Sequence, residues 1–150
     1  DLPLSRGLGD VYKRQPLWNI KELKDKSQEE WTYRKYFMTQ NYLFPCNFVQ
    51  VMTDHVYVHS IIPTGPGTCV FNCMLLISEP ANTEKAQQYW EKNYNVVKEV
   101  FNEDFEIGEA IQAGLSTNAN DSFVFGRYEC GLHWGQKAID DALDGRLKAG

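Results

Sequence analysis

The sequence predicts an α+β domain, an antiparallel sheet packed against a long helix. Three observations carry this. Between residues 41 and 78 apolar residues alternate or run in short segments separated by turn-forming residues, the pattern of successive strands. After Glu79-Pro80 the apolar spacing changes to steps of three and four, the period of an amphipathic helix. The strand-like segments come first and the helix-like ones follow, which is the order of an α+β fold and not of alternating βα units.

Composition bounds the reading. A chain of 150 residues can bury one proper core and is short for two. With 43% hydrophobic and 13% aromatic residues it is globular in composition, not disordered. A formal charge of −5 argues against nucleic acid or an anionic membrane as the main partner. No apolar run approaches the length of a membrane span, and the N-terminus lacks the apolar core of a signal peptide. Cys46, Cys69, Cys73 and Cys130 lie in apolar or strand-like surroundings without the spacing of a secreted disulfide framework, so a reducing cytoplasm is expected.

Residues 1–15 differ from the rest, with mixed charge, two close glycines and no sustained periodicity. Asp10-Val11-Tyr12-Lys13-Arg14-Gln15 looks like a translated sequencing adapter, and the segment is set aside as adapter-derived or disordered. Native sequence is then expected from about Pro16, so that 16–150 form the domain and sequence upstream of it is missing. Pro16 to Glu30 is rich in Lys and Glu with Ile20 and Leu23 as its apolar points, which fits a short exposed helix or a linker. Trp31 to Gln40 is too aromatic to be only a loop.

Strand character is expected from Asn41. Tyr42-Leu43-Phe44 precedes Pro45, which belongs at a strand edge or bulge, and Phe48 to Met52 continues the run to a turn at Thr53-Asp54. His55 to Ile62 alternates, with Val56 and Val58 on one side and Tyr57, His59 and Ile61 on the other. Pro63-Thr64-Gly65-Pro66-Gly67 breaks the chain before a third strand, Thr68 to Ser78. Short connections between the three make an antiparallel meander. Asn82 then caps a helix whose face is Ala86, Trp90, Tyr94, Val97 and Phe101, expected to end near Asn102. Ser116 to Ser122 reads as a loop, Phe123-Val124-Phe125 as a short extended piece, and Gly131 to Leu143 as a closing helix.

Between the two helices, Asn102 to Ser116 carries Glu103, Asp104, Glu106 and Glu109 and then turns apolar up to Gly114. Acids facing the unpaired N–H groups of a first turn, with Gly114 as C-cap, describe a surface helix with a charged start. The sharper reading makes Asp104 a metal ligand presented at that start. The remaining candidates are bland. His55 and His59 are four apart in a strand, about 13 Å along it, too far for one metal. His133 is alone beside Trp134, and Cys69 and Cys73 lack a second pair, so buried thiols are favoured over zinc. There is no phosphate-binding glycine loop and no nucleophile elbow.

Four motifs in order give the chain a family resemblance. They are Leu43-Phe44-Pro45 opening a strand, Pro63-Thr64-Gly65-Pro66 between two strands, and Glu103-Asp104 running into Gln112-Ala113-Gly114-Leu115-Ser116. The fourth is Gly126-Arg127-Tyr128-Glu129 ahead of the last helix. From Trp31 to Leu143 the sequence resembles the C-terminal catalytic region of Rieske non-haem iron oxygenases, the alpha subunits of ring-hydroxylating dioxygenases. It looks most like the branch with glycine-betaine demethylases, choline monooxygenases and related aromatic-substrate enzymes.

The resemblance implies part of a helix-grip (TATA-binding-protein-like) domain and a mononuclear Fe(II) held by two His and one Asp, with positions open for O₂. Asp104 matches the carboxylate ligand by motif position. Ile107, Gly108 and Ile111 share its face and are the expected lining of the substrate pocket. The resemblance further implies hydroxylation or oxidative demethylation of a small organic substrate, aromatic or a quaternary amine. It also implies a [2Fe–2S] cluster in the missing N-terminal part, a reductase or ferredoxin electron donor, and a homotrimer. His55, His59 and His133 do not match the family's iron-binding histidines, which would lie upstream, so the chain is expected to be inactive alone. The alternative is a non-catalytic helix-grip ligand-binding module in which Asp104 is only a helix-start acid.

Overall fold

A computed structural model describes residues 11–119 and 122–146. The chain divides into two compact units. One comprises the residues up to Ile77 together with those from Phe125 onward, and the other is Ser78–Val124.

The first unit is built on a five-stranded antiparallel sheet in simple sequential order. Its strands are β1 (Val11–Pro16), β2 (Phe37–Leu43), β3 (Asn47–Val51), β4 (His55–Gly65) and β5 (Thr68–Ile77). Two of its hairpin turns fall at the breakers expected from sequence, Thr53-Asp54 and Pro63 to Gly67. The third, at Phe44-Pro45, splits into two strands the run from Asn41 to Met52 that is expected from sequence as one strand with Pro45 at an edge or bulge. Phe44-Pro45 turns β2 into β3 through a cis peptide bond, and the Tyr42 hydroxyl donates to the Pro45 carbonyl. Thr53-Asp54 turns β3 into β4, closed by Met52 N–H donating to the His55 carbonyl at 3.0 Å. Pro66-Gly67 joins β4 to β5, beside a register irregularity between Pro63 and Gly65.

The sheet is longer than the three-stranded meander expected. Tyr42 does belong to a strand, but that strand begins at Phe37, where alternation already runs through Met38-Thr39-Gln40. β1 pairs with β2, Val11 opposite Tyr42 and Pro16 opposite Phe37. Val11–Gln15, within the segment set aside as adapter-like, are therefore drawn in the sheet, whereas residues 1–10 lie outside those described.

The pleat gives the sheet two unlike faces. His55, Tyr57 and His59 alternate along β4 as buried residues, and the cross-strand row Tyr42–Phe48–His59–Cys73 runs over the same face. The opposite face carries Ile62, Val70, Met74 and Leu76, all exposed. Before the sheet, the 3₁₀ turns Trp18–Asp25 lead to α1 (Tyr33–Tyr36). They are tied to it by Leu17 N–H donating to the Tyr36 carbonyl (2.8 Å) and Lys35 meeting Glu22 (3.0 Å), with Leu23 and Tyr36 buried. After it, α3 (Cys130–Leu143) lies over β1 and brings Gly135 against Tyr42, where a Cβ would stand 3.5 Å from the ring. Gly135 and Ala138 are its buried positions, small residues that let helix and sheet approach.

The second unit is dominated by one helix, α2 (Glu84–Leu115). The expected break near Asn102 is absent, and Glu103, Asp104 and Glu106 sit within a continuous helix. No Pro occurs from Glu84 to Leu115 and no Gly before Gly108, so nothing stops propagation where the acids suggested a new start. The N-cap is Thr83, whose hydroxyl accepts from Ala86 N–H at 3.2 Å, and not Asn82. Gly114 stays helical; the helix ends one residue later, and the left-handed conformation is taken by Asn118 at φ 54°. Phe123-Val124-Phe125 form no strand. A long helix and an antiparallel sheet put the molecule in the α+β class, consistent with a helix-grip fold.

Candidate functional site

α2 carries all four residues expected at the site: Asp104, Ile107, Gly108 and Ile111. At about 100° of rotation per residue, Asp104 falls in the middle of the helix's apolar sector. Within about 60° of it on either side lie Val97, Val100, Phe101, Ile107, Gly108, Ile111 and Leu115. Along α2, Asp104 is the one charged residue in that sector. Glu103 is turned about 100° away, and Glu106 and Glu109 fall on the far side. Ile107 and Gly108 stand about one turn from Asp104 and Ile111 about two, so the three expected pocket residues flank its carboxylate. Asp104, Ile107 and Ile111 are exposed, and a Cβ at Gly108 would meet nothing within 4 Å.

The sequence distinguished Asp104 from its neighbours by motif order. The apolar sector is a second, independent signal, and it is visible only when 84–115 is treated as one helix.

The histidines are used differently. His55 and His59 belong to the sheet unit, both buried on one face of β4. His55 Nδ1 is 2.7 Å from the Asp54 carboxylate, and its ring meets Tyr57 edge-on at 4.8 Å. His59 is stacked against Tyr57 at 5.8 Å and Phe71 at 5.6 Å, and burial pushes its pKa down from 6.5. His133 sits in the first turn of α3, exposed. The cysteines are free thiols; Cys69 is exposed and Cys73 half-buried, where buried thiols are expected from sequence, and partial burial raises the pKa of Cys73.

Among the described residues, no group of three His, Cys, Asp or Glu could hold a metal ion. The residues present therefore do not fit a three-ligand mononuclear centre by themselves. No helix among the described residues is long and apolar enough to cross a membrane.

One family model matches, that of the ring hydroxylating alpha subunit (catalytic domain), over residues 11–145. The chain belongs to that family. Neither a curated protein nor a solved structure matches it significantly. The family is one of oxygenases, which generally use Fe(II) and a [2Fe–2S] cluster and draw on an organic substrate, O₂ and electron-transfer partners.

Proposed function

We propose that this domain is part of an oxygenase that uses mononuclear Fe(II) and O₂ to hydroxylate or oxidatively demethylate a small aromatic or quaternary-amine substrate, and that Asp104 is its carboxylate iron ligand. The observation that carries the proposal is the position of Asp104, the one charge in the apolar sector of α2. Asp104 is exposed, so what supports the reading is position: it is the one carboxylate presented among the apolar side chains that would line a pocket, and Glu103, Glu106 and Glu109 lie outside that sector. Ile107, Gly108 and Ile111 line the substrate side of the same sector.

In this reading residues 16–150 are the partial catalytic domain, and the [2Fe–2S] cluster lies in a separate part of the whole protein. A reductase or ferredoxin feeds that cluster, the assembly is a homotrimer, and the protein works in the cytoplasm. Family membership supports the cofactors and the need for an electron donor. The test uses a full-length family member bearing the matching aspartate, reconstituted with iron. Its counterpart of Asp104→Ala is expected to lose mononuclear iron and turnover while the cluster's absorption spectrum is unchanged. Retained iron would remove Asp104 from the ligand set and favour the non-catalytic ligand-binding module.

A further inference from the structure

We infer that Asp104 finds no co-ligands among the described residues of its own chain, so that this polypeptide alone does not hold mononuclear Fe(II) and shortage of donors is the reason. The inference rests on Asp104 as an iron ligand and adds what that site lacks. A facial site for Fe(II) takes three protein donors, and one carboxylate on a solvated helix competes poorly with water.

The unit that holds Asp104, Ser78–Val124, contains neither His nor Cys. Its nearby acids cannot turn to help. Glu103 points about 100° away around α2, and Glu106 and Glu109 more than about 130°. Of the sheet unit's histidines, His133 is exposed, but one imidazole added to Asp104 would make two donors where three are needed, and the other two are committed to that unit's own packing. His55 is bound to Asp54 at 2.7 Å, and His59 is 2% exposed with its ring stacked on Tyr57 and Phe71. Recruiting either would break a buried contact. The apolar sector around Asp104 also has room for donors. A Cβ at Gly108 meets nothing within 4 Å, Ile107 is 61% exposed, and both stand about one turn after Asp104.

That room allows a gain-of-function test on the whole chain with Co(II) as the probe. Wild type and Asp104→Ala are expected to behave alike, losing Co(II) on gel filtration and leaving the weak spectrum of the hydrated ion. The double variant Ile107→His/Gly108→His places imidazoles three and four residues after Asp104, the spacings at which helix side chains meet, and both lean back over it. It should retain about one Co(II) per chain, with strong visible absorption. Adding Asp104→Ala should reverse the gain.

Far-UV circular dichroism of each variant checks that α2 is helical in all four. A helical double variant that gains no metal overturns donor shortage as the cause. Stoichiometric Co(II) on the wild type overturns the inference outright. If that metal is lost in Asp104→Ala, the ligand assignment stands and only the claimed shortage falls. If it survives, both fall.

Discussion

His55 and His59 occupy the same face of one strand in different surroundings. His55 has the Asp54 carboxylate at 2.7 Å. His59 lies between aromatic rings, with the Gln50 side-chain oxygen 3.4 Å from its Nε2. Burial lowers its pKa in the folded chain below the ordinary value of 6.5. Between the folded and unfolded values, the unfolded chain therefore binds more protons, and stability rises with pH across that window. The contribution is fully present above about pH 6.5 and is lost as pH falls through the folded value. Urea unfolding of the chain at about pH 8 and about pH 5.5 should give a lower midpoint in acid. His59→Phe, which keeps a ring against Phe71 and cannot titrate, should flatten the difference. An undiminished acid loss in that variant would assign the effect to another group.

At the scale of elements, α2 holds opposing local features. Thr83 caps it through Ala86 N–H, and Thr83→Ala should cost about 1 kcal/mol of helix stability. Gly108 weakens it from within. Because an added Cβ meets nothing within 4 Å, Gly108→Ala should raise helix stability by about 1 kcal/mol, read as a higher thermal midpoint by circular dichroism at 222 nm. A lower midpoint would mean that position 108 is closely approached in the folded chain.

The same helix shows how far sequence carried the fold. Two hairpins were legible because Thr53-Asp54 and Pro63 to Gly67 punctuate the chain with residues that break a ladder, whereas the hairpin at Phe44-Pro45 was not, since a lone Pro also fits an edge or bulge within one strand. The helix was cut in two because Glu103 and Asp104 mimic a first turn, a local signal outweighed by the absence of any breaker before Gly108. Asp104 was recognisable from motif order, but its co-ligands were not to be found, since a metal site is assembled from residues distant in sequence and no local pattern near Asp104 supplies them. The imidazole and aromatic packing of β4 was half legible. Alternation put Tyr57 and His59 on one side, but which side is buried depends on the neighbours β3, β5 and the covering segments, which periodicity does not encode.

At the scale of the molecule, the apolar surface left uncovered sets the solution behaviour. Ile62, Val70, Met74 and Leu76 stand on one face of β4 and β5, with Met74 58% exposed. β5 is also the last strand in the sheet order, and its ten residues include no charge and no proline. Edge strands of soluble proteins are usually guarded by such residues, and contiguous apolar surface is usually covered. A formal charge of −5 spread over the chain supplies general repulsion but places none on this strand. The chain is therefore expected to self-associate as concentration rises, visible as increasing mass in size-exclusion chromatography with light scattering. Met74→Lys points into solvent and puts a charge on both the face and the edge strand, so it should shift the population toward monomer without loss of the folded circular dichroism signal. Phe71→Lys is on the other face of β5, where the native ring stacks on His59 at 5.6 Å, and should unfold the sheet instead. A wild-type chain that stays monomeric at all concentrations would mean that other surfaces, and not this face and edge, govern its solubility.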